Sequence, residues 1–322
     1  MKLGLRELRA AAGIVHASIP PTPQHRWPLL SRRCGADVWV KHENHNPTGA
    51  FKVRGGVVYA DGLRHATGIA GVISATRGNH GQSVAFAAAR AGLPATIVVP
   101  HGNSREKNAA MRGLGAELIE HGADFSESAA HARALAEAEG LHFFPSFDPR
   151  LVAGVASYAL ELFEAVADLD TVYVPIGLGS GICAVMAARD ALGLATRVVG
   201  VVAERAPAYA LSFERGAPVS SERSDTFADG VAVRVPDASA VEQICRGADR
   251  IIAVSEDEIA EAVRHYFTDT HNLVEGAGAA GLAALLRERE AQAGRRIGLV
   301  ISGGNIDRDV YAGILAGHTP RV

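Results

Sequence analysis

Residues 171–181 read TVYVPIGLGSG: an apolar run from Thr171 to Ile176 that opens into Gly177, Gly179 and Gly181 at alternate positions. The run is short, rich in β-branched residues and closed by glycine, which marks a buried strand. From Ile182 onward the apolar residues recur at helical spacing. A strand that turns through glycine into a helix is the building unit of a parallel sheet.

The same alternation continues outward in both directions. Strands are expected at 36–41, 71–75, 95–99, 171–176, 197–203 and 297–301, with weaker ones at 116–120 and 249–254. Helices are expected near 53–66, 80–91, 104–114, 126–139, 151–167, 181–192, 256–270 and 277–292. The fold class this predicts is α/β, with two open, twisted, mostly parallel sheets and helices on both faces. Turn-rich breaks at 45–49 and 145–149 point to a small domain at 46–149. It would be inserted into a large domain built from 1–45 and 150–322.

Composition narrows the function classes. With 322 residues and 48% hydrophobic content the chain can bury a sizeable core. A net charge of -3 and no basic run beyond two residues argue against nucleic-acid or membrane partners. No apolar run is long enough to span a bilayer. The N-terminal stretch MKLGLRELRAAAGIVHASIP has charges between its apolar residues, so a surface helix is expected there, not a signal peptide. Cys34, Cys183 and Cys245 are far apart and not at metal-ligand spacing; they are expected to be reduced thiols of a cytoplasmic protein.

In open parallel sheets ligands sit beyond the carboxyl ends of the strands. Three strand ends run into polar or glycine-rich loops. After 71–75 comes Thr76-Arg77-Gly78-Asn79-His80-Gly81, whose backbone N–H groups open a helix and suit a carboxylate. It also reads as a simple turn with an asparagine cap. After 171–176, Gly177-Leu178-Gly179-Ser180-Gly181 offers a cradle for a phosphate. Its GxGxG spacing is not the dinucleotide fingerprint, and it lacks the Lys-Ser/Thr of a P-loop. After 297–301, Ser302 places a hydroxyl at a strand end, followed by Gly303-Gly304-Asn305. Finally, Lys52 in Gly49-Ala50-Phe51-Lys52-Val53-Arg54-Gly55-Gly56 opens an expected helix. The positive helix end and partial burial both favour a neutral amine there, the form that Schiff-base chemistry requires. Alone it reads as an ordinary surface lysine.

Together and in this order, these motifs resemble those of fold-type II pyridoxal-phosphate (PLP) enzymes of the serine/threonine dehydratase family, with a tryptophan synthase β-like fold. The resemblance rests on Lys41 to Asn44 with Pro47 to Gly55, on Gly78 to Gly81, and on Gly177 to Gly181. Asp229-Gly230-Val231-Ala232-Val233, Glu275-Gly276-Ala277-Gly278-Ala279-Ala280 and Ser302 to Asn305 extend it over nearly the whole chain. It implies that Lys52 carries PLP as a Schiff base and later acts as base on Cα. It implies cofactor contacts from Phe51, Asn79, Gly177, Leu178, Gly179, Ser180, Gly181, Gly230, Glu275 and Ser302, with Ser302 facing the ring nitrogen. Substrate contacts would come from Thr76, Arg77, Gly78, Asn79 and His80. The implied reaction removes water from a β-hydroxy amino acid, threonine, serine or phenylserine, and yields a 2-oxo acid and ammonia. A hydroxyl partner leaves the ring nitrogen unprotonated, and the weaker electron sink favours elimination over transamination. A homodimer or homotetramer is implied as well.

Three departures from the family pattern stand out. Arg77 occupies the position where racemases of the family carry a basic serine, and a guanidinium stays protonated. Ala50 stands where serine is usual. Glu204 matches one acidic position of a cation site found in relatives, but Ala210 stands at the second, so no metal is expected. The chain reaches Val322 soon after the Ser302 block, so no regulatory domain is expected. The competing readings are β-replacement, racemisation, and an amino-acid sensor that keeps the fold without turnover.

Overall fold

Among the described residues, 3–64 and 68–321 of a computed structural model, ten strands form two sheets. In chain order they are β1 (Gln24–Arg26), β2 (Asp37–His42), β3 (Val72–Ala75), β4 (Ala95–Val99), β5 (Glu117–Glu120), β6 (His142–Phe143), β7 (Thr171–Pro175), β8 (Arg197–Ala203), β9 (Arg250–Val254) and β10 (Arg296–Ile301). The larger sheet runs β1-β2-β10-β7-β8-β9 and the smaller runs β5-β4-β3-β6. Only β1 is antiparallel to its neighbour. The α/β class with two mostly parallel sheets is therefore the observed one.

The larger sheet is buried on both faces. Along β7, Val172 and Val174 enter one core cluster with Leu162 and Ile182, while Tyr173 enters another with Leu282 and Leu299. This is the period-two alternation of a strand with helices on either side. Each such side chain contributes about 1.5–3 kcal/mol relative to leaving it exposed.

Strand order determines which loops meet. β10 lies between β2 and β7, so the loop at Ser302 emerges between the segment leading to Lys52 and the glycine loop at Gly177. A short antiparallel bridge then ties two of these loops together. Phe51 N–H donates to the Ser302 carbonyl at 3.0 Å, and Gly304 N–H donates to the Gly49 carbonyl at 2.9 Å.

The helix Lys52–Asp61 is anchored from behind. A Cβ on Gly154 would lie 2.5 Å from the Arg54 carbonyl oxygen, and one on Gly55 would lie 2.7 Å from that of Leu151. Glycine at both points lets this helix and Pro149–Ala165 touch backbone to backbone. Arg54, fully buried, donates to Glu43 Oε2 at 2.7 Å and to Glu161 Oε1 at 2.6 Å. Glu161 also accepts from Lys41 Nζ at 2.5 Å. Two cations and two carboxylates balance, so the cluster tolerates burial; removing one partner would strand a charge.

Most expected elements appear within a residue or two, and the N-terminal helix forms at Leu5–His16 with Leu8, Ala11, Ala12 and Val15 buried. The helix expected at 53–66 ends at Asp61, and residues 65–66 lie outside the described residues. Strands β1 and β6 and the helices Pro28–Cys34, Ala208–Arg215, Ala238–Gly247 and Arg308–Leu315 were not expected from the pattern. They are two to ten residues long, too short for a periodicity to stand out.

Candidate active site

The chain has four lysines: Lys2, Lys41, Lys52 and Lys107. Lys2 lies outside the described residues. Lys41 is spent in the ion cluster with Glu161. Lys107 bridges Asp229 Oδ2 at 2.5 Å and Glu275 Oε2 at 3.5 Å. Lys52 alone among the described lysines has no ion-pair partner, and its Nζ lies 5.0 Å from the centroid of the Phe51 ring. Burial pushes this amine down to about 8, against a weaker opposing pull from Glu275. A lysine at the first position of its helix also feels the positive helix end. A sizeable neutral fraction near pH 8 makes the amine a nucleophile.

Lys52 stands where an inner chamber and an outer cleft meet. Phe51, Asn79 and Ser302 line the chamber with the glycine loop, Gly230 and Glu275. The loop from Gly177 to Gly181 opens the helix Ser180–Ala191, so its N–H groups and the helix dipole favour an anion. Gly179 has φ +101°, and a Cβ on Gly177 would collide with the Gly230 carbonyl oxygen. A side chain at either point would force the loop to shift. An amine, an aromatic wall, an N–H cradle and a buried hydroxyl at Ser302 fit the aldehyde, ring, phosphate and ring nitrogen of PLP.

Asn79 is held by two partners. Its Nδ2 donates to Glu275 Oε1 at 2.6 Å, and its Oδ1 accepts from Asn305 Nδ2 at 2.8 Å. One N–H of its amide remains for the chamber. Burial raises Glu275 to about 7 while the Lys107 ammonium pulls it back. For Lys107, burial is outweighed by Asp229 and Glu275, which hold the ammonium above its ordinary value.

The outer cleft is lined by Thr76, Arg77, Gly78, Asn79 and His80, the loop expected to meet the substrate. These residues open the helix Asn79–Ala91, and Gly78 N–H donates to Thr76 Oγ1 at 3.0 Å. Arg77 is exposed and makes no side-chain hydrogen bond or ion pair with the described residues. Farther out, Phe125 and Val235 expose apolar surface, and Arg234 pairs with Asp124 at 3.6 Å. Glu204 lies elsewhere and pairs with Arg287 at 3.1 Å. All the expected site residues therefore line the chamber or the cleft. Lys107, Phe125 and Val235 were missed, and Asn305 was quoted with the Ser302 block but given no role. The lysine and asparagine act through partners more than a hundred residues away in sequence, which no local spacing reveals.

Fold and chamber together define a class, that of fold-type II PLP enzymes. The chain belongs to the pyridoxal-phosphate dependent enzyme family, whose model matches residues 15–303. It is 37% identical over 280 residues to an L-threonine ammonia-lyase of Thermotoga maritima, covering 87% of this chain and 70% of that protein. It is 35% identical over 281 residues to a catabolic L-threonine dehydratase of Escherichia coli, covering 86% and 85%. Among solved structures, the processed form of threonine deaminase isoform 2 from Solanum lycopersicum matches with a TM-score of 0.89 and 29% identity, over 99% of this chain and 96% of that one. Maize serine racemase matches with a TM-score of 0.91 and 26% identity, over 99% and 98%. The chain is a PLP-dependent enzyme of the ammonia-lyase type.

Proposed function

We propose that the enzyme eliminates water from a β-hydroxy amino acid of the threonine or serine type, phenylserine included, and yields a 2-oxo acid and ammonia. The observation that carries this reading is the unpaired Lys52 amine between the glycine cradle and the Asn79 loop. When bound, PLP supplies an electrophilic carbon for the substrate amine and a ring that takes up the electrons left at Cα.

The chain's own groups do the rest. N–H groups of Gly177 to Gly181 bind the phosphate, Phe51 packs on the ring, and the free Asn79 N–H and the Ser302 hydroxyl meet its polar atoms. The N–H groups of Arg77, Asn79 and His80 hold the substrate carboxylate, those of Thr76 and Gly78 being taken by the Val98 carbonyl and Thr76 Oγ1. Lys52 Nζ carries the cofactor at rest. Once the substrate amine replaces it, Nζ takes the Cα proton and returns it to the β-hydroxyl as the Cβ–O bond breaks, so the hydroxyl leaves as water; the released enamine tautomerises and is hydrolysed by water to the 2-oxo acid and ammonia. A neutral amine is needed for that proton transfer, and the lowered Lys52 supports it. Arg77, always protonated, offers no second base on the opposite side, which disfavours racemisation.

The two sheets support two lobes, 46–149 and the remainder, with the cleft between them. Free Cys34, Cys183 and Cys245 fit a reducing, cytoplasmic setting. Exposed Phe267 and Leu273 fit assembly as a homodimer or homotetramer.

A panel of L-serine, L-threonine, threo-3-hydroxyaspartate and phenylserine tests the reading. Equimolar 2-oxo acid and ammonia from at least one is expected. Racemic amino acid without keto acid, or product only with an added nucleophile, would overturn it.

A further inference from the structure

From Lys52 outward the cleft changes character. Thr76 and His80 lie buried at its floor, while Phe125 and Val235 are 38% and 63% exposed at its mouth. Ala232 and Val233 line it beside Val235, and Leu178 lines it beside the glycine cradle.

Phe125 and Val235 are brought to one rim by their chain neighbours. Asp124 accepts from Glu127 N–H at 3.0 Å, a cap that fixes Phe125 as the first residue of the helix Phe125–Glu139. The Arg234 carbonyl accepts from Ser221 N–H at 2.9 Å, which ties down the loop that carries Val235. Arg234 Nη1 lies 3.6 Å from Asp124 Oδ2. This ion pair joins distant parts of the chain and sets an exposed phenyl ring and an exposed isopropyl group on the same cleft. Apolar surface gathered in this way marks a contact site, unlike a single exposed side chain.

The charges on the wall do not call for a charged side chain on the substrate. Among the described residues, Arg234 and Asp124 neutralise each other, and so do Lys107 and Asp229 at 2.5 Å. Lys52 is the cofactor amine, and Arg77 belongs to the loop that meets the substrate carboxylate. Ser126, Ser146 and Ser224 add only neutral hydroxyls. Serine and threonine carry a hydrogen or a methyl group on Cβ, too little to cover a phenylalanine and a valine at the mouth.

We propose that the enzyme selects β-hydroxy amino acids with a bulky apolar group on Cβ, aryl or branched alkyl, and that Phe125 and Val235 are the residues that select them. The proposal rests on the elimination reading above and narrows its substrate. The reacting atoms stay at Lys52, and the apolar group takes the place of water against the two side chains.

The test is kcat/KM for L-threonine, 3-hydroxyleucine and phenylserine, measured with the PLP-loaded unmodified chain, Phe125→Ala and Val235→Ser. In the unmodified chain the values should rise in that order, phenylserine exceeding threonine by roughly tenfold or more, since a single methylene in an apolar pocket is worth about that much. In each variant the ratio of phenylserine to threonine should fall several-fold. The fall should come mainly through KM, because a contact to a non-reacting group holds ground and transition states alike. Both side chains are exposed, so neither change removes core packing. A preference for threonine in the unmodified chain, or an unchanged ratio in either variant, would overturn the proposal. Failure of the elimination reading itself would show differently, as no 2-oxo acid from any of the three substrates.

Discussion

Asn79 Nδ2 donates to Glu275 Oε1 at 2.6 Å, joining the first turn of Asn79–Ala91 to the residue that caps Gly276–Arg287. With Asn305 on the other side, this bond fixes which way the Asn79 amide faces. Glu275→Gln keeps an acceptor oxygen and should retain the cofactor. Glu275→Ala frees the amide to turn and should weaken PLP affinity roughly tenfold, read by equilibrium dialysis. Equal affinity in both variants would contradict this orienting role.

The same carboxyl predicts a pH effect on stability. Its value is raised from 4.5 to about 7 by burial, so between those limits the folded chain holds a proton that the unfolded chain has released. Stability from this group is complete below about 4.5 and is lost as pH rises through about 7. Denaturant midpoints for Glu275→Gln should therefore fall less over that range than those of the unmodified chain.

Capture of PLP by the stripped enzyme should follow deprotonation of Lys52. The rate should rise with pH around a midpoint near 8, not near the ordinary 10.5. Stopped-flow absorbance measures it, and a midpoint near 10.5 would mean the amine is solvated.

Gly179→Ala places a Cβ 2.7 Å from that of Ala240 on backbone at φ +101°. Overpacking of this kind costs about 1–3 kcal/mol. Because the strained residue is part of the phosphate cradle, PLP affinity should fall along with the melting temperature. A variant with lowered stability but unchanged affinity would remove this loop from the cofactor site.

Arg77 is the exposed cation on the substrate loop with no side-chain partner among the described residues. Arg77→Ala should raise KM several-fold, roughly 1 kcal/mol, and lower kcat less. An unchanged KM would leave Arg77 a solvent-facing side chain.

Much of this was legible in the sequence, for identifiable reasons. Strands such as β7 and β10 are buried on both faces, so their apolar runs stand out, and the glycines after β7 mark the cradle whatever surrounds it. Lys52 became legible through the loops around it. The Lys107 bridge and the Asn305–Asn79 bond were not, because each joins residues 122 to 226 apart in the chain. The Arg54 cluster was hidden for the same reason: a fully buried arginine contradicts the usual reading of charge as surface, and only its partners explain it.

Lys52, and no other lysine, is proposed to carry the cofactor. Borohydride reduction of the holoenzyme, followed by peptide mapping, tests it directly, since four lysines give four distinguishable outcomes. One phosphopyridoxyl group per chain, on Lys52, is expected. A label on Lys2, Lys41 or Lys107, or no label at all, would contradict it.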